Sequence, residues 1–112
     1  QHELGVEAKR TIDESRKKIS SLLGIKPSKI IFTSGGTESI NLALIGTARA
    51  LKDKGKHIIT SKIEHKAVLG ACKFLEEEGF KVTYLSVDKY GLINLDELEK
   101  YIRKDTILIS IK

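Results

Sequence analysis

The sequence predicts an α/β fold: a mainly parallel sheet with helices on both faces. Two observations lead there. Four short apolar, β-branched runs, at 29–33, 57–61, 81–85 and 106–111, alternate with stretches of helical periodicity in the order α-β-α-β-α-β-α-β. Those runs are nearly continuous in apolar character, as in strands buried on both faces. Bulk numbers agree with a folded chain: 112 residues, 40% hydrophobic, 31% charged and a single proline, enough for one domain with a modest core.

Taken in order, residues 6–23 carry Val6, Ala8, Ile12, Ile19, Leu22 and Leu23 at helical spacing, with acidic residues early and Arg16, Lys17 and Lys18 late. That charge order suits a helix dipole. Gly24 is the natural stop, and Lys26-Pro27-Ser28 is a turn. An opening strand is expected over 29–33 and a second helix over 37–54, with Leu42, Ile45 and Ala48 as its apolar face and Gly55 at its end. The next strand is 57–61, followed by a helix over 66–78 with Val68, Leu69, Cys72, Phe74 and Leu75 as its apolar positions and Gly79 as cap. A strand over 81–85 leads into a loop, 87–94, where Asp88 supplies turn chemistry. Asn94, three residues before Glu97, reads as the N-cap of a short helix over 95–103. The last strand is 106–111.

The net charge of +5 is dispersed, and its only run of three basic residues lies on a helical pattern. Three Tyr, three Phe and no Trp are too few for a nucleic-acid stacking platform. One cysteine excludes an internal disulfide framework and suits a reducing compartment such as the cytoplasm. No apolar run approaches the ~20 residues of a membrane span. The chain starts at Gln1, contains no methionine and stops on an apolar strand, so it is expected to be part of something longer.

Chemistry concentrates where the opening strand breaks at Ser34-Gly35-Gly36-Thr37. A helix start offers amides without intrahelical partners and the positive end of a dipole, and glycine lets an anion approach the backbone. The residues alone leave two readings open: an anion site, or a βα turn that uses glycine for geometry. No Gly-Lys-Ser/Thr follows, and the pattern is not G-x-G-x-x-G. Glu64 and His65 fall just past the second strand. In a parallel sheet both stretches gather at the carboxyl ends of strands and can line one crevice.

Taken together, Phe32-Thr33-Ser34-Gly35-Gly36-Thr37-Glu38-Ser39 and Gly55-Lys56-His57-Ile58-Ile59-Thr60-Ser61-Lys62-Ile63-Glu64-His65-Lys66-Ala67-Val68-Leu69 resemble the cysteine desulfurases, pyridoxal-phosphate (PLP) enzymes of the class V aminotransferase family. The resemblance continues through 79–85, 88–94 and 105–110, and His2 and Gly5 fit a His-x-x-Gly pattern near the first long helix. It implies that 1–112 is an incomplete part of the PLP-binding large domain. Gly36 and Thr37 would hold the cofactor phosphate, and His65 would lie over the pyridine ring as the catalytic proton-transfer group. Asn41 and Glu64 would brace the loop and helix rather than touch the cofactor, and His57 would be structural; no metal is implied.

The resemblance also implies what lies outside 1–112: the lysine that forms the Schiff base, the residues around the ring and the cysteine that takes sulfur. Cys72, at an inward helix position, does not match that cysteine. The expected role is therefore the phosphate-binding segment of an enzyme converting L-cysteine to L-alanine, with sulfur passed on as a persulfide for iron–sulfur clusters or thio-modified RNA. It is expected to be inactive without a complementing C-terminal chain; self-association as a dimer and a sulfur-acceptor protein are the other implied partners. Two alternatives stand beside it: a non-catalytic assembly or interaction module, and a selenocysteine-lyase-like segment. In the family's large domain the first strand lies away from the second to fourth, so 29–33 would find no sheet partner within the chain.

Overall fold

The computed structural model describes residues 2–112; Gln1 and the side chain of His2, hence the first position of the His-x-x-Gly pattern, lie outside the described residues. The chain divides into two compact units, Gln1–Thr33 and Ser34–Lys112.

The first unit is built on α1, His2–Leu23, which starts four residues earlier than its apolar period indicates. It ends in a Schellman turn: Ile25 N–H donates to Ser20 O at 3.0 Å and Gly24 N–H to Ser21 O at 3.3 Å. Gly24 takes φ 69°, the left-handed conformation that glycine adopts without penalty. A 3-10 turn follows at Pro27–Lys29. The expected opening strand over 29–33 does not form. Residues 30–33 belong to no strand, and Ile31 is 66% exposed. A strand exists only where a neighbour takes its ladder hydrogen bonds, and all three strands of the sheet lie in the second unit. The segment is held instead by Arg16, whose Nε–H donates to Ile30 O at 3.3 Å and whose guanidinium lies 5.2 Å from the centre of the Phe32 ring.

The second unit runs α2 (Gly36–Ala50), β1 (His57–Ser61), α3 (Lys66–Glu77), β2 (Lys81–Leu85), α4 (Leu95–Tyr101) and β3 (Thr106–Ser110). The strands are parallel in the order β2-β1-β3, so β1 is central and buried along its whole length. Ile58 pairs with Val82 on one side and Leu108 on the other; a register shift between His57 and Ile58 absorbs Ile107. Gly55 is required just before β1, because a β-carbon there would overlap the Asp105 carbonyl.

Helices α2 and α3 pack together through Leu44, Val68, Ala71 and Cys72, with Val82, Tyr84 and Leu108 of the sheet against them. Ala48, Ile58, Leu75 and Phe80 continue this core. Leu42, expected on the inward face, is 48% exposed; Leu44 takes its place, because the buried stripe of α2 is centred on Leu44 and Ala48. Phe74, one of the apolar positions of α3, is 43% exposed. The β1-α3-β2 and β2-α4-β3 crossovers run in opposite directions across the sheet. With both right-handed, α4 falls on the face opposite α3, where it packs against β2. The α/β class with helices on both faces is therefore realised with three strands. Asn94 caps α4 as expected, its side chain accepting the Glu97 amide at 3.0 Å.

His57 ties the three strands together. Its Nδ1 lies 2.6 Å from Thr106 Oγ1 on β3 and its Nε2 lies 2.7 Å from Thr83 Oγ1 on β2. Burial lowers its affinity for a proton, the Arg103 charge adds to that, and Asp105 opposes it. An imidazole whose proton affinity falls on folding leaves the unfolded state binding more protons, so stability drops as pH falls below the ordinary value of about 6.5. Urea unfolding between pH 7.5 and 5 is expected to show this acid loss. In His57→Gln the slope falls by up to about 1.4 kcal/mol per pH unit, the most one proton contributes. An unchanged slope contradicts the assignment.

Candidate cofactor-phosphate site

Helix α2 opens directly on the paired glycines. Gly35 is its N-cap, with φ 168° and ψ −177°, and supplies no side-chain cap. The first backbone bond of the helix runs from Ser39 N–H to Gly35 O at 3.1 Å. The amides of Gly36, Thr37 and Glu38 therefore precede the intrahelical ladder and point out of the helix end. A β-carbon placed on Gly35 or Gly36 would meet nothing within 4 Å, so no neighbouring atom crowds the two glycines. Glu38 reaches back to Ser34, its carboxylate accepting from the hydroxyl at 2.6 Å and from the amide at 3.4 Å. The donors at the helix end are the amides of Gly36, Thr37 and Glu38.

His65 is the N-cap of α3, a role that the sequence did not reveal. Its Nδ1 accepts the Ala67 amide at 3.1 Å. A ring nitrogen that accepts carries no proton, so the neutral imidazole holds its proton on Nε2. The ring is exposed, with Nε2 available to a ligand.

The two helix starts lie at the same end of the unit. A groove of about 430 Å³ along the α2–α3 seam is lined by Thr37, Asn41 and Ile45 from α2 and by Ala67, Gly70 and Phe74 from α3. At the other end Arg49, in the last turn of α2, is paired with Glu78, the C-cap of α3. The helices therefore run side by side in the same direction. Two positive dipole ends, one starting at Gly36 and one capped by His65, open beyond the carboxyl end of β1.

Other residues singled out in the sequence have different work. Cys72 is fully buried; its burial, with Glu76 and then Glu64 nearby, pushes the thiol up to about 11. It is a packing group rather than a nucleophile at neutral pH. Asp88 holds its turn, accepting the amides of Tyr90 at 2.8 Å and Leu92 at 3.0 Å. Glu64 is buried against Ser61. Among the described residues no cluster of His, Cys, Asp or Glu is placed to hold a metal, and no helix is long and apolar enough to cross a membrane.

A phosphate fits the opening at α2: unsatisfied amides, a dipole, a Thr37 hydroxyl and a path clear of β-carbons are what a dianion needs. Comparison with known proteins bears on what carries such a group. The family model for class V aminotransferases matches residues 1–112, and the chain belongs to that family. It is similar to the cysteine desulfurase IscS of Dictyoglomus turgidum, 58% identical over 110 residues. That match covers 98% of this chain and 28% of the relative. Among solved structures, a NifS-like protein superposes with a TM-score of 0.83 at 47% identity, covering 96% of this chain and 29% of its own. SspA in complex with cysteine superposes with a TM-score of 0.81 at 45% identity, covering 99% and 32%. This chain thus spans under a third of the length of each. Class V aminotransferases and the cysteine desulfurases among them depend on PLP.

The capping role of His65 is separable from any chemistry. His65→Ala is expected to cost about 1 kcal/mol in urea unfolding, whereas His65→Asn, whose side-chain oxygen accepts the same amide, should stay within a few tenths of wild type. Equal losses would contradict the cap.

Proposed function

We propose that residues 1–112 form part of a PLP-binding large domain and supply two groups to a cysteine desulfurase: the phosphate cradle at Gly36–Thr37 and the imidazole of His65. The observation that carries this reading is the shared groove, which brings Thr37 and Ala67, and so the starts of α2 and α3, to one end of the sheet. The relatives named above support the desulfurase class.

When bound, PLP supplies an electron sink for the bonds at the substrate's α-carbon. The Gly36 and Thr37 amides and the Thr37 hydroxyl would hold its phosphate. His65, at the neighbouring helix start, would face the ring and keep water from one side of it. Its Nε2–H, with Nδ1 tied to Ala67, is the atom at which a proton is held or passed. The substrate is L-cysteine, the products are L-alanine and a protein-bound persulfide, and the setting is the cytoplasm. The cofactor-anchoring lysine and the sulfur-carrying cysteine come from sequence outside 1–112, whether in the same polypeptide or a complementing one, and dimerisation and a sulfur acceptor complete the assembly.

Titrating the isotope-labelled chain with PLP tests the cradle. Amide shifts are expected to centre on Gly36 and Thr37, inorganic phosphate should reproduce them, and PLP alone should also move the His65 ring signals. Thr37→Ala is expected to weaken PLP binding about tenfold, the worth of one hydrogen bond to a charged group. Shifts centred elsewhere, or none, would contradict the proposal.

A further inference from the structure

We infer that Glu64 is a positioning residue for His65, an inference that rests on the role given to His65 above. Glu64 is only 8% exposed, and among the described residues no salt bridge involves it. Burying a carboxylate without a countercharge costs free energy unless its oxygens are hydrogen-bonded. Here a single oxygen, Oε2, accepts from two sides: from the hydroxyl of Ser61, the last residue of β1, and from the backbone amide of Lys112, just past β3, at 3.0 Å.

This arrangement has a geometric consequence. The connection between β1 and α3 is four residues long, and its last two are Glu64 and His65. Lys62 is held at one side, its amide donating to Leu85 O at 2.9 Å. Glu64 pins the other side to the ends of two neighbouring strands. His65 follows with φ −56° and ψ 149°, and its ring is fixed by the Ala67 amide. The carboxylate thus sets where the backbone stands when it delivers the imidazole, and couples that position to the chain leaving β3. Ser61, 1% exposed, is the partner without which the carboxylate loses its tie to β1.

The test is imidazole and amide NMR on the full 112-residue chain without ligand. The wild type is expected to show the Nε2–H tautomer at His65 and a hydrogen-bonded Ala67 amide. Glu64→Ala should lose both signatures: the two ring nitrogen signals converge as the tautomers mix, and the Ala67 amide shifts, while β1–β2 contacts at Ile58 and Val82 persist. Glu64→Gln, which keeps an acceptor oxygen, should restore them. If Glu64→Ala does not fold, Ser61→Ala carries the test, with the same signals expected to move. His65 and Ala67 signals that match wild type in the variant that folds, or a Glu64→Gln no better than Glu64→Ala, would overturn the inference. Because no cofactor is present, that failure is distinct from a failure of the chain to bind PLP.

Discussion

The alignment of α2 with α3 is the constraint from which the rest of the second unit follows. Small residues let the helices approach: Ala48 and Ala71 are at most 2% exposed in the seam, and Leu44, Cys72 and Leu75 fill the space between them and the sheet. The Arg49–Glu78 pair joins the carboxyl-terminal ends, and the Arg49 guanidinium also lies 5.6 Å from the centre of the Phe74 ring. An exposed pair of this kind contributes little to stability; its value is to record direction. Because both helices return antiparallel to the strands, both starts lie at the carboxyl edge of the sheet. Exchange the direction of either helix and Gly36 and His65 would sit at opposite ends.

Polar groups buried on β1 act at its two ends. At the start, His57 is satisfied by threonine hydroxyls on both neighbouring strands. At the finish, Ser61 and Glu64 tie the strand to the turn that carries His65. Thr60 adds a third tie, its hydroxyl donating to Ser110 O at 2.8 Å. Among the described residues no buried side-chain polar atom lacks a partner. A central strand that is buried on both faces pays for each polar side chain unless it is paired, so these residues fix register as well as holding the sheet. The start of α2 is the opposite case, with amide donors left at the helix end.

Much of this was legible in the sequence because it depends on local patterns. The runs at 57–61 and 81–85 are strands with the expected bounds, and Gly24 and Asn94 act as stop and cap. The strand expected over 29–33 failed for a reason that no local pattern carries: β-branched residues favour extended backbone, but only a neighbouring strand makes it a sheet. Leu42 was misplaced because Leu42, Leu44 and Ile45 satisfy more than one helical stripe, and packing against α3 chose Leu44. The Ser34–Thr37 opening could be found from its glycines. The cap made by His65 could not, since histidine is not a usual N-cap residue and its role depends on the exit angle from β1. Glu64 could be marked as a brace, but its partner at Lys112 lies 48 residues away in sequence.

Paramagnetic relaxation from a nitroxide on Thr37→Cys tests the shared orientation of the two helices most directly, since buried Cys72 is shielded from the label. The strongest broadening is expected at the α3 amides of Ala67 and Gly70, fading steadily toward Glu77. A gradient in the reverse sense, or equal broadening along α3, would contradict it.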